Sequence, residues 1–423
     1  MNAIISILLL SQIGMPMGIA FLLATILLFD INIKEHGVRR LFFVGTRLCV
    51  LMSVLIAVLF ILQKDSFLHY PFDPLITLAT HEFEWSLFLD PLAITYLLFA
   101  SILIFVVCHF SYQYLHKERG YVRFFLLISM LWLGIILISI SGNFDVLIMG
   151  WELVGIASVF LISFFDHTPR ATQNSARALI FYRICDIGLF VASALIHVYF
   201  HSNDFVHFKE DHPGIQNRLV AFFVLFATLA KSGQLPMTSW VPRAMEGPTT
   251  SSAIFYGALS IHLGPFLMLR CAPLWHQDSF IHACLFTVGI STSIYASLVG
   301  KTRYDAKTVL GYASVAQIGL MYVALSFELY TLVMVHMVLH GFLRTWQFLR
   351  ASSFIHDFFS SAVVREIENK TNPLWVQWLP DTWSKALYHH ALQGFHLDGL
   401  LSLLIVRPCL FVFGYSRWRK HQS

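Results

Sequence analysis

The feature that most constrains this chain is its succession of apolar runs about 20 residues long, the length an α-helix needs to cross the hydrocarbon of a bilayer. Roughly a dozen such runs can be marked out on that ruler. They lie near 1–30, 41–63, 88–114, 121–141, 144–165, 176–200, 217–244, 249–270, 278–299, 306–326, 328–355 and 396–416. With 57% hydrophobic and 12% charged residues among 423, the chain carries more apolar surface than a water-facing globule of its length can hide. Its mean hydropathy of +0.69 agrees. The expectation is an all-α polytopic membrane protein of about 12 transmembrane helices with no soluble domain. A net charge of +4, dispersed in short clusters, does not suit nucleic acid. The six cysteines fall singly, mostly inside apolar runs and without metal-ligand spacing. They read as small hydrophobes rather than a disulfide, zinc or iron–sulfur framework. The N-terminal run lacks a basic leader and is too long for a signal h-region, so it reads as the first span.

Charge divides the connections into two sets. Lys34, Arg39 and Arg40, then Lys117, Arg119 and Arg123, then Arg170 and Arg177, then Lys301, Arg303 and Lys307 mark basic loops. Between them lie the acidic stretches 65–84 and 201–216. The positive-inside rule places the basic loops in the cytoplasm and the N-terminus outside. Twelve spans would then put the basic tail RWRKH on the outer side, against the same rule. The stretch HEFEWSLFLD alternates as a short strand does and predicts an outer-face hairpin. Three regions follow: a transmembrane bundle over 1–356, an amphipathic surface segment over 357–395, and a C-terminal hydrophobic helix with a basic tail over 396–423.

One run is interrupted. AKSGQLPMTSWVP puts Lys231, Gly233 and Pro236 in the middle of 217–244, and proline removes a ladder donor. Such a break is tolerated in a membrane only where protein or a wet cavity satisfies the freed backbone groups. Charged residues inside spans are costly and mark function. Glu152, in LIMGWELVGIASVF, and Lys231 are the leading pair. Pairing favours the charged form of both groups and burial favours the neutral form, which is how a switchable proton carrier works. A static structural pair is the bland alternative, and the helix break beside Lys231 favours transport.

His336, His340 and Arg344 recur at i, i+4 and i+8 and share a helix face. Two imidazoles there suit proton passage, whereas Arg344 can serve only as fixed charge or as a carboxylate's partner. His262 stands alone in ALSIHLGPFL. Arg183 and Asp186, one turn apart, are expected to pair with each other. His109, Tyr312, Ser314 and Gln317 are candidates to line a hydrated path. HEXXH, Walker A, GxGxxG and nucleophile-elbow motifs do not occur, so no catalytic site is expected in the chain.

At these residues the chain resembles a known family. GNFDVLIMGWELVGIASVFLISFF, YRICDIGLF and FATLAKSGQLPMTSWVPRAMEGPTTSSAIFYGAL resemble the first repeat of the antiporter-like subunits of respiratory complex I, the subunit L type in particular. RYDAKTVLGYASVAQIGLMYVAL and VHMVLHGFLRTWQFLRASSFIH resemble their second repeat. The family includes subunits of multisubunit cation/proton antiporters, of membrane-bound hydrogenases and of the DAB inorganic-carbon system. The resemblance implies inverted repeats, a plasma-membrane location, Glu152 and Lys231 as the glutamate and first lysine, and His336 and His340 as central histidines. Arg183 and Asp186 match as well. Three departures stand out. Tyr256 occupies a position usually held by histidine, Arg344 replaces an expected lysine, and after His356 no second broken helix is found, so the second repeat reads as truncated. The segment LQGFHLDGLLSLLIVRPCLFVFGYSRW resembles the family's C-terminal part, and the lateral helix is missing. A DAB-type role would imply no cofactor in this chain and a large soluble or peripheral partner, carbonic-anhydrase-like and zinc-bearing. The alternatives are a redox-linked pump subunit, a stand-alone cation/proton exchanger and a scaffold.

Overall fold

The computed structural model describes residues 1–72, 76–78, 81–200, 202–209, 214–351 and 380–412. Among the described residues, ten helices are long and apolar enough to cross a membrane. The bundle opens with α1 (Asn2–Leu28) and α2 (Glu35–Gln63). After an antiparallel hairpin come α3 (Pro91–Tyr114), α4 (Tyr121–Ile140), α5 (Phe144–Ile162) and α6 (Pro169–Phe200). Next is α7 (Ile215–Lys231), which stops at the predicted break. A central helix runs from Thr249 to Arg270, as α8 (Thr249–Ser252), a π-helical turn (Ala253–Ala258) and α9 (Leu259–Arg270). Then follow α10 (Ser279–Gly300), α11 (Ala306–Ser326) and α12 (Tyr330–Ala351). The described chain ends with α13 (Asp381–Leu392) and the tenth membrane-length helix, Gly394–Phe411, in which α14 (Leu397–Leu401) runs through a π turn (Ser402–Val406) into α15 (Arg407–Val412).

Two expected spans fall outside the ten, and both for a reason that bears on function. The run 217–244 is not one helix, because α7 ends after 17 residues and the chain continues as turns to the 3-10 helix Pro242–Glu246. The run 328–355 does form α12, but its histidines and arginines make it too polar to qualify by hydropathy. The end of the predicted bundle (352–356), most of the predicted amphipathic segment (357–379) and the basic tail lie outside the described residues. Of that segment, α13 is described, with Trp383 and Tyr388 exposed.

The predicted division into two charged faces is visible in contacts between loops. On the basic face His116 pairs with Glu35, Arg123 with Asp166 at 2.7 Å, and Arg170 with Glu246. The Arg123 guanidinium holds the Asp166 carboxyl below its ordinary range. On the opposite face the expected hairpin forms: β1 (Leu68–Pro71) pairs with β4 (Ser86–Leu89), and β2 (Ile76–Leu78) with β3 (His81–Phe83). Ser86 Oγ donates to Asp204 at 2.9 Å, Arg218 pairs with Asp278 at 2.7 Å, and Arg270 with Asp90 at 2.9 Å. Burial pushes the Asp278 carboxyl up, but Arg218 and the amides of Phe280 and Ile281 outweigh it, leaving that group below its ordinary range.

Lipid offers helices no hydrophobic reason to associate, so close packing must hold them together. α4 and α5 meet through reciprocal glycines. A Cβ on Gly134 would lie 2.8 Å from the Gly150 carbonyl oxygen, and one on Gly150 would lie 2.7 Å from the Gly134 oxygen. Both obstacles are backbone, so neither can yield without separating the helices. Gly150→Val is therefore expected to prevent recovery of a monodisperse protein. Gel-filtration profiles in mild detergent check this; an unchanged peak would show the contact to be dispensable.

Candidate functional site

Three elements, α5, α6 and α7, meet at Lys231. The lysine is the last residue of α7 and is buried, and its Nζ donates to the Trp151 carbonyl oxygen on α5 at 3.1 Å. It also lies over the Tyr182 ring, 4.5 Å from the centroid, and faces the Trp151 ring at 5.4 Å. Space for it comes from Gly155, where a Cβ would sit 2.6 Å from Nζ. One turn of α5 carries both Trp151 and Gly155, so their spacing seats the amine against that helix.

Glu152 does not pair directly with Lys231, which corrects the simplest reading of the sequence. The Arg183 guanidinium reaches Glu152 first and binds its carboxylate through Nη1. Through Nη2 it also binds Asp186 at 2.9 Å, the pairing that the i, i+3 spacing predicted. Asp186 in turn accepts from Trp151 Nε1 at 2.6 Å. Glu152, Arg183, Asp186 and Trp151 thus form one connected network, and among the described residues Lys231 joins it through the Trp151 carbonyl and ring. The guanidinium wins because its fork can hold two carboxylates at once, whereas an ammonium is a point donor.

The backbone freed at the break is satisfied by protein, as a membrane interior requires. Pro236 follows a cis Leu235–Pro236 bond. The Leu235 N–H donates to Thr292 Oγ1 at 2.9 Å, and Trp240 Nε1 donates to the Ala230 carbonyl at 3.1 Å. A second break is matched to the first. Pro265 in α9 has no N–H to give the Ile261 carbonyl; Ser232 Oγ donates to that oxygen at 2.8 Å and accepts from the Gly264 N–H at 3.0 Å. Sequence reasoning marked both neighbours of Ser232 but missed this residue, which joins the break after Lys231 to the helix carrying His262.

The histidines form a second cluster. His262 does not stand alone: its Nε2 is 3.0 Å from Nδ1 of His340. The other nitrogen of His262, Nδ1, bonds the Ala258 carbonyl where the π turn ends. The Nε of Arg344 donates to His340 Nε2 at 3.3 Å, and its Nη1 to Gln347 at 2.7 Å. His336 is linked to Gln317 on α11 at 3.1 Å, its ring 6.0 Å from that of His340. Among the described residues, the buried Oη of Tyr256 and Oγ of Ser260 have no hydrogen-bond partner. Polar groups of that kind are where ordered water is held.

Other candidates lie elsewhere. His109 is on the outside of α3, against Phe105 and Phe43. Tyr312 packs under Arg303 near the basic face, and Ser314 donates within its own helix. Among the described residues no group of three or more His, Cys, Asp or Glu could hold a metal ion. Arg270 was also missed; it is buried and bound to Asp90 before α3, a partner 180 positions away that no local pattern signals.

An all-α bundle with a helix broken at a buried lysine, arginine–carboxylate pairs inside it and a facing histidine pair defines a polytopic type of membrane protein with a polar interior. The chain belongs to the family described as NADH:quinone oxidoreductase/Mrp antiporter, whose transmembrane model matches residues 141–379. A model for the complex I chain 5 N-terminus matches residues 75–125. The NADH-quinone oxidoreductase subunit L of Neisseria meningitidis is 30% identical over 64% of this chain and 42% of its own length. A probable inorganic carbon transporter subunit, DabB1 of Halothiobacillus neapolitanus, is 30% identical over 64% of this chain and 50% of its own. The chain thus spans about half the length of these relatives. In fold it is similar to a chain of an archaeal membrane-bound sulfane sulfur reductase (TM-score 0.70, 19% identity), covering 93% of this chain and 85% of that one. A chain of the Mrp complex from Dietzia also matches with TM-score 0.70 at 22% identity, over 81% of this chain and 37% of that one.

Proposed function

We propose that this chain is a proton-conducting subunit of a larger plasma-membrane assembly and that it couples the proton gradient to work done by a partner. The observation that carries this reading is the pair of clusters on one polar axis, Lys231 at the helix break and His262–His340 beyond it. Lys231 exchanges its proton with the axis, the Glu152–Arg183–Asp186 network sets its charge state, and the histidines pass the proton on. Gln317 orients His336 from α11.

The coupled process we favour is uptake of inorganic carbon, as CO2 or bicarbonate, with a large zinc-bearing, carbonic-anhydrase-like partner that is soluble or peripheral. Likeness to DabB1 supports it. A redox-linked pump subunit is the second reading, favoured by the likeness to subunit L. Purification of the tagged chain in mild detergent, with mass spectrometry and zinc analysis of what accompanies it, separates the two. A large zinc-containing soluble or peripheral protein among those that accompany the chain is the expected result. Flavin and iron–sulfur subunits, or a set of small membrane subunits, would overturn the carbon-uptake assignment.

A further inference from the structure

We propose that the outward face of α12 docks a membrane-spanning helix of a different protein, one that presents an Asp or Glu side chain to Arg344. This rests on the reading of the chain as a subunit of a larger membrane assembly. Leu332, Val335, Leu339, Leu343 and Trp346 are exposed along α12 and recur every three or four residues, forming a continuous apolar stripe. Such a stripe alone would suit lipid. Beside it, however, run His336, Arg344 and Gln347, all only half-buried.

The charge is what lipid cannot accept. Arg177, Arg183 and Arg270, which also reach into the bundle, each meet a carboxylate within 3 Å. Arg344 meets none within salt-bridge reach among the described residues. Its Nε and Nη1 are taken by His340 and Gln347, both uncharged acceptors in these bonds. Its Nη2 has no partner among the described residues. A guanidinium does not shed its proton in a protein, so neutralising it is not an escape. Nor can it snorkel freely to the basic face, because bonds one turn to either side hold it along the helix. A half-exposed, permanently charged donor at the edge of an apolar helix face calls for a protein neighbour with a carboxylate, flanked by apolar residues that fit the stripe. That chemistry is a transmembrane helix with one acidic residue within its span.

Photo-crosslinking tests this in the native membrane with the full chain. A benzophenone side chain is placed at Leu339 or Leu343, with Leu51 on the exposed face of α2 as control. The expected result is a protein adduct from Leu339 and Leu343 alone. Its attachment site should map to a membrane-spanning segment of another protein that contains Asp or Glu. Arg344→Gln should lower its yield about tenfold or more, as loss of one member of a desolvated charge pair does. Arg344→Glu combined with Arg at the mapped carboxylate should restore it. Adducts to lipid only, to another part of this chain or to a second copy would overturn the proposal, as would a yield indifferent to Arg344→Gln. The readout is contact rather than conduction, so Lys231→Ala leaves the adduct intact while testing the proton reading separately.

Discussion

Lys231→Ala abolishes proton movement through the assembled protein, lowering flux about a hundredfold or more, the scale on which a positioned proton-transfer group acts. The lysine is buried, has no carboxylate within salt-bridge reach among the described residues, and is held by one carbonyl and two ring faces. Nothing in that seat needs an amine for packing, so the alanine variant should assemble. A graded test comes from Gly155→Ala. Its new methyl group would lie 2.6 Å from Nζ, and the far end of a flexible side chain can move away where backbone could not. The protein should fold with its lysine displaced from the Trp151 carbonyl. Flux should fall about tenfold to a hundredfold, as small misplacements of a reacting group do. Glu152→Gln should also block flux, because it leaves Arg183 with Asp186 alone. Flux is read as acidification of proteoliposomes loaded with a pH dye. Wild-type rates in the Lys231 and Glu152 variants would leave the chain as a scaffold and remove the lysine mechanism.

What the sequence disclosed and what it withheld divide along the range of the interactions. The spans, the two charged faces and the outer hairpin were legible because each depends on local composition: apolar length, basic clusters, strict alternation. The end of α7 at Lys231 was legible because glycine and proline act on their own backbone. Partnerships between distant segments were not. That Arg183 rather than Lys231 holds Glu152 depends on how α5, α6 and α7 are set against one another. Gly155 in GWELVG looks like any small membrane residue until the lysine is seen lying over it. His262 was underrated for the same reason: its partner, His340, is 78 positions away, and no periodicity joins two helices.

The second large effect is expected at His340, and it follows from the direction of the hydrogen-bond string. The Ala258 carbonyl can only accept, so His262 Nδ1 carries a proton and its Nε2, in the neutral ring, accepts. His340 must then donate from Nδ1, leaving its Nε2 to accept from Arg344, whose Nε can only donate. Both tautomers are fixed by this network, and both are the Nδ1–H form. A string so filled can take up another proton only by opening one of its bonds, and the longest is Arg344–His340 at 3.3 Å. His340→Gln is the informative variant. Its amide can still donate to His262 and accept from Arg344, so the helices stay in place, but it cannot relay a proton. Flux should fall about a hundredfold with no change in assembly. Arg344→Lys, which keeps a charged donor one turn from His340, should retain part of the flux that Arg344→Ala loses. Nitrogen-15 spectra of histidine-labelled protein check the premise independently, since Nδ1–H and Nε2–H rings give distinct signals. Nε2–H signals from His262 and His340, or normal flux in His340→Gln, would remove the histidine string from the path.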